Sequence, residues 1–156
     1  MEAKKNNAIS LSAEIVPGQS IGGILIGENV LDIIDRLPSD QELICKEFNN
    51  FGKNYYLYSI NNGIINFTSD KDDVVLAIWC GVGYKGKCDE KYYPGISVGE
   101  VKENFRKIEI YHGYLVLDDN YKIYYELPEE FDDFNDFNEV DDDVILRCLY
   151  VGDLKK

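Results

Sequence analysis

The segment Gly23-Ile24-Leu25-Ile26-Gly27-Glu28 recurs as Gly95-Ile96-Ser97-Val98-Gly99-Glu100, 72 residues later, and each copy runs into a helical pattern. Further on, Asp72-Asp73-Val74-Val75-Leu76 recurs as Asp142-Asp143-Val144-Ile145-Leu146 at an offset of 70. Two motifs in the same order at nearly the same spacing predict two similar halves, residues 17–82 and 92–152. At 156 residues both fit in one domain with one core, since a chain of this length buries about 70% of the surface it exposes when unfolded.

Periodicity inside each half is consistent with that division. Val30, Ile33, Ile34 and Leu37 fall at i, i+3, i+4 and i+7, one face of a helix over 28–37 that Pro38 ends. Val101, Phe105 and Ile108 line a counterpart over 100–107, with Glu100 and Glu103 near its start and Arg106 and Lys107 at its end, as the helix dipole favours. Strand-like runs follow at 42–48, 54–60, 63–68 and 74–82, and again at 107–111, 114–117, 121–127 and 144–151. Asn61-Asn62-Gly63 is a hairpin signal, and Tyr111-His112-Gly113 and Asp118-Asp119-Asn120 read as turns. Residues 8–16 alternate well enough for an additional strand, and the glycines and Pro94 of 83–95 mark a long, locally basic loop. The fold class expected is α+β: two similar halves, each a short helix followed by about four antiparallel strands.

Charge sets the partner class. The formal net charge is −13 and the pI about 4.4. That balance argues against nucleic acid and against an anionic membrane surface, because the phosphate term would be repulsive. Ten of the acids lie in eighteen residues, 126–143, which hold no base; the remaining 138 residues carry 19 acids and 16 bases. Within this patch Phe131, Phe134 and Phe137 recur every third residue behind Pro128, which would place the rings on one side of a short helical turn. Aromatic anchors ringed by carboxylates suit a protein interface, the rings for desolvated contact and the charges for steering. The candidate binding residues are Glu129, Glu130, Asp132, Asp133, Phe134, Asp136, Phe137, Glu139, Asp141 and Asp142. The plainer alternative has the phenylalanines packing onto the sheet and the acids forming a solvated loop. The patch lacks the D-x-[DN]-x-[DN]-G order of a calcium loop. Twelve tyrosines, concentrated in runs such as Tyr55-Tyr56-Leu57-Tyr58, offer a second surface, because alternate strand residues face away from the core.

The inventory for catalysis is poor. His112 is the one histidine, and it falls in a turn. The P-loop pattern G-x-x-x-x-G-K-[ST] does not occur. Gly18-Gln19-Ser20-Ile21-Gly22 and Gly95-Ile96-Ser97-Val98-Gly99 satisfy the esterase pentapeptide, but Pro17 and Pro94 precede them and no parallel α/β pattern follows. Ser20 and Ser97 are therefore expected near turns, with Gly27 and Gly99 where the backbone enters a helix. No metal, cofactor or enzymatic activity is expected. Cys45, Cys80, Cys88 and Cys148 are spread without a C-x-x-C and read as free thiols, Cys88 being the exposed one. The N-terminal residues lack the apolar core of a secretory signal, which points to the cytoplasm.

Gly23-Ile24-Leu25-Ile26-Gly27-Glu28, followed by Val30, Ile33 and Ile34, resembles the opening of small cytosolic immunity proteins of bacterial contact-dependent growth inhibition and other polymorphic toxin systems. A similar opening occurs in β-lactamase-inhibitor-like helix-plus-sheet repeats. The resemblance implies a stoichiometric inhibitor that binds and neutralises a cognate toxin, typically a basic nuclease, inside the producing cell. The family shares no common set of binding residues, so the acidic patch is an inference from this chain alone. The alternative reading is a non-enzymatic adaptor or structural subunit of a larger assembly, with a tyrosine-rich sheet face as its contact.

Overall fold

Tyr58 and Ile60 are both buried, as are Ile65 and Phe67, Ile78 and Cys80, Leu115 and Leu117, Ile123 and Tyr125, and Leu149 and Val151. A burial period of two means strands with one face on a core. The computed structural model describes residues 8–128, 131 and 137–155. In chain order its elements are β1 (Ser20–Ile21), β2 (Ile24–Leu25), α1 (Val30–Asp35), β3 (Leu43–Asn50), β4 (Lys53–Ile60), β5 (Ile65–Ser69) and β6 (Val75–Cys80). They continue with β7 (Ile96–Ser97), α2 (Val98–Asn104), β8 (Ile108–Tyr111), β9 (Tyr114–Leu117), β10 (Ile123–Glu126), a 3₁₀ turn over Phe137–Glu139, β11 (Ile145–Leu146) and β12 (Leu149–Val151).

Eight of the strands form one antiparallel sheet in the order β3-β4-β5-β6-β12-β10-β9-β8, and β1–β2 and β7–β11 are two-stranded pairs. The junction at the middle is long-range: β12 enters between β6 and β10, with Leu149 opposite Cys80 and Tyr125. Both helices lie against one face. They bury Val30 and Ile33 of α1 and Val98 and Val101 of α2, and the irregular segments add Ile9, Ile15, Tyr84, Cys88 and Tyr92 to the same core.

The expected α+β fold of two similar halves is corrected by this arrangement. Among the described residues the chain is mostly β, with twelve strands, and only α2 reaches seven residues. The helices are short for local reasons. Asn29, not Glu28, caps α1, accepting the Leu31 N–H at 2.8 Å, and the helix ends before Arg36. Ser97 caps α2 in a reciprocal box with Glu100, and at Phe105 the backbone is already extended. Ser97 and Gly27 thus have the structural roles expected of them. With so little helix, the strands from both parts of the chain bury their apolar faces in one layer.

Two local expectations also change. The run 144–151 is split: β11 leaves the main sheet to pair with β7, Ile145 opposite Ser97, and only β12 joins the eight strands. Residues 8–16 form no named strand; Ile9 and Ile15 are nevertheless buried, held by backbone bonds to Arg36 and Lys87.

One buried ion pair braces the helix side. Arg36 donates to Glu28 at 2.5 Å and to the Gly23 carbonyl at 3.2 Å, and both charged side chains are 6% exposed. Removing either partner alone would strand a buried charge, at a cost of about 3–5 kcal/mol.

Candidate functional site

The face of the sheet opposite the helices carries a row that crosses six strands. Ile44 lies opposite Ser59, Ser59 opposite Asn66, Asn66 opposite Trp79, Trp79 opposite Tyr150, and Tyr150 opposite Tyr124. From Ser59 to Tyr124, each alternates with core residues of its own strand. Trp79 sits between Ile78 and Cys80, and Tyr150 between Leu149 and Val151, so burying the core half of the strand necessarily turns these rings the other way.

The rings are in contact. Trp79 stacks on Tyr150 at 5.1 Å and Tyr150 on Tyr124 at 5.8 Å, while Tyr114 meets Tyr124 edge-on at 4.8 Å and Tyr150 at 5.4 Å. None of the four belongs to the hydrophobic core cluster. Trp79, Tyr114 and Tyr150 are half-buried and Tyr124 is 9% exposed. Burial raises the Tyr124 phenol to about 12 and raises that of Tyr150 as well, Glu126 adding to the latter, so the hydroxyls stay protonated donors at neutral pH. Further along the face Phe48 stacks on Tyr55 at 5.6 Å. Near the far edge Tyr121 donates to Glu109 at 2.6 Å, under the Lys155 ammonium 4.1 Å from its ring centre.

The acidic patch begins on this face and leaves it. Glu126 ends β10 opposite Tyr114 and is exposed. Phe131 and Phe137 are buried in the core cluster, their ring centres 6.3 Å apart, as the plainer alternative for these rings expected. Lys102 of α2 holds the end of the segment, donating to the Asn138 carbonyl at 3.4 Å, the Val140 carbonyl at 3.1 Å and Asp142 at 2.8 Å.

The candidate binding residues therefore divide. Glu129, Glu130, Asp132, Asp133, Phe134 and Asp136 lie outside the described residues. Phe137 is 6% exposed and anchors the segment to the core. Glu139 and Asp141 are exposed, and Asp142 is exposed but paired with Lys102. Trp79 and Tyr150, at the centre of the aromatic row, were not among the sequence candidates. Their signal was a large ring at the alternate position of an otherwise apolar strand.

The residues weighed for chemistry have other occupations. The Ser97 hydroxyl is in the α2 cap. His112 and Gly113 form the β8–β9 turn with φ of 50° and 86°. The four cysteines are free, but the exposed one is Cys45 on β3: Cys88 is 3% exposed, correcting the sequence reading, because Tyr92 pairs back onto it and the loop folds into the core. Among the described residues no group of three or more His, Cys, Asp or Glu side chains could hold a metal ion, and no helix is long and apolar enough to cross a membrane. No protein-family model, curated protein or solved structure matches the chain.

Proposed function

We propose that this chain is a non-enzymatic binding protein that captures and neutralises a basic protein, a cognate bacterial toxin of nuclease type being the partner class favoured by the resemblance at 23–34. The observation that carries the reading is the contiguous ring cluster Trp79–Tyr150–Tyr124–Tyr114, held outside the core. Tryptophan and tyrosine are the side chains most often found as binding anchors, since they supply large desolvated area with little conformational entropy to lose. A charge of −13, of which −10 falls in residues 126–143, would draw a cationic partner. The free thiols suit a reducing cytoplasm.

The adaptor alternative uses the same rings and gains support from β3, an eight-residue edge strand of the large sheet. Co-expression with the product of the adjacent reading frame separates the two. Neutralisation predicts a one-to-one complex, protection of cells from that product, and loss of both with Trp79→Ala. A stable complex that leaves the partner's toxicity intact would support the adaptor.

A further inference from the structure

Phe51 is 96% exposed, the most exposed of the large apolar side chains described. With Gly52 it forms the turn between β3 and β4, and its φ is +55°. Left-handed backbone is costly for a bulky residue, and two-residue hairpin turns of this kind prefer Asn-Gly or Asp-Gly. The turn is already braced without the ring: Asn49 accepts the Gly52 N–H at 3.2 Å and its side-chain amide donates to Asn54 at 3.1 Å. Folding would therefore be better served by another residue here.

The surroundings extend the same surface. Phe48 and Ile44, 39% and 42% exposed, continue from Phe51 down the outer face of β3. Beside the tip a groove of about 580 Å³ opens between Tyr55, Tyr56 and Leu76, its rim balanced in charge by Lys53 and Lys71 against Asp70 and Asp72.

We propose that the β3–β4 hairpin is a binding finger: Phe51 inserts into an apolar-floored cleft on the basic partner, and Phe48 and Ile44 continue the contact down β3. The inference builds on the reading of the chain as a captor of a basic protein. Charge complementarity selects this occupant over a second copy, which would bring a further −13. Self-pairing of β3 in the register that places Ile44 opposite Phe48 would also set Lys46 against Lys46.

The test replaces Phe51 by a photo-crosslinking phenylalanine in the full chain, in its native cells, with the same probe at Tyr150 and at exposed Leu31 as comparisons. The expected result is one crosslinked protein of basic pI from position 51, the same protein from 150, and none from 31. Phe51→Asn should then release that protein at least about tenfold faster while its melting temperature holds or rises, because the turn is relieved. A crosslink from 150 without one from 51 overturns the finger and leaves the captor reading standing. No basic protein from either position defeats both, and a crosslink of 51 to a second copy, or an unchanged release rate for Phe51→Asn, overturns the proposal.

Discussion

Tyr93 and Tyr125 hold each other by two hydrogen bonds: the Tyr93 backbone N–H donates to the Tyr125 hydroxyl at 3.0 Å, and that hydroxyl donates to the Tyr93 carbonyl at 3.0 Å. Tyr125 is fully buried, so this exchange satisfies a backbone donor and acceptor where the long loop meets the middle of the sheet. Tyr125→Phe keeps the ring and leaves both groups of Tyr93 without it. We expect a loss of about 2 kcal/mol in urea denaturation, the usual cost of stranding buried polar groups.

Glu100 gives a pH-dependent prediction. Its carboxylate accepts from the Tyr93 hydroxyl at 2.6 Å and from the Ser97 N–H at 3.2 Å, and these donors, the phenol first, hold its pKa below the usual carboxylate value. A depressed folded pKa contributes stability above the unfolded value of about 4.3 and loses it as pH falls through the folded one. Glu100→Gln should therefore lower the urea midpoint at pH 7 and approach the parent near the acid limit of folding. A difference that stays constant with pH would mean that the cap does not depend on ionisation.

The cysteines should react in an order set by burial. Burial pushes the Cys88 thiol up to about 11, with Asp89 and Glu14 adding, and pushes Cys80 further. Since the thiolate is the reactive species, native alkylation followed by mass spectrometry should label Cys45 first, with Cys80 and Cys88 protected until the chain unfolds.

Binding kinetics should separate charge from contact. Asn at Asp132, Asp133 and Asp136 is expected to slow association with the basic partner and to flatten its salt dependence. Trp79→Ala should instead speed dissociation, by about 1–3 kcal/mol. Phe137→Ala, whose ring is in the core, should act mainly on stability, lowering it by about 3 kcal/mol, with circular dichroism and denaturation as the readout.

Some of this protein is written locally. Tyr114–Leu117 is a strand with the bounds its pattern predicts, and Asn61, Asn62, His112, Asp118 and Asp119 all take positive φ in the turns that their residue types announce. Turn chemistry and a period of two depend on neighbours within a few positions, so they survive without knowledge of the fold. The recurring motifs were legible too, but α1 starts after the first copy, capped by Asn29, and α2 inside the second, capped by Ser97, and the motifs predicted two halves where the described chain is mostly sheet.

The sequence alone determined roughly where the eight strands of the large sheet lie, how acidic the chain is, and that its acids are concentrated from Glu126 onward. Only the tertiary structure decided that β12 enters between β6 and β10, that Cys88 and Phe137 are covered, and that Trp79, Tyr150 and Tyr124 meet in one row. Each of those outcomes joins residues far apart in the chain. Alternation says that a side chain leaves the core face; which rings it then meets depends on how all the strands share the burial of their apolar sides.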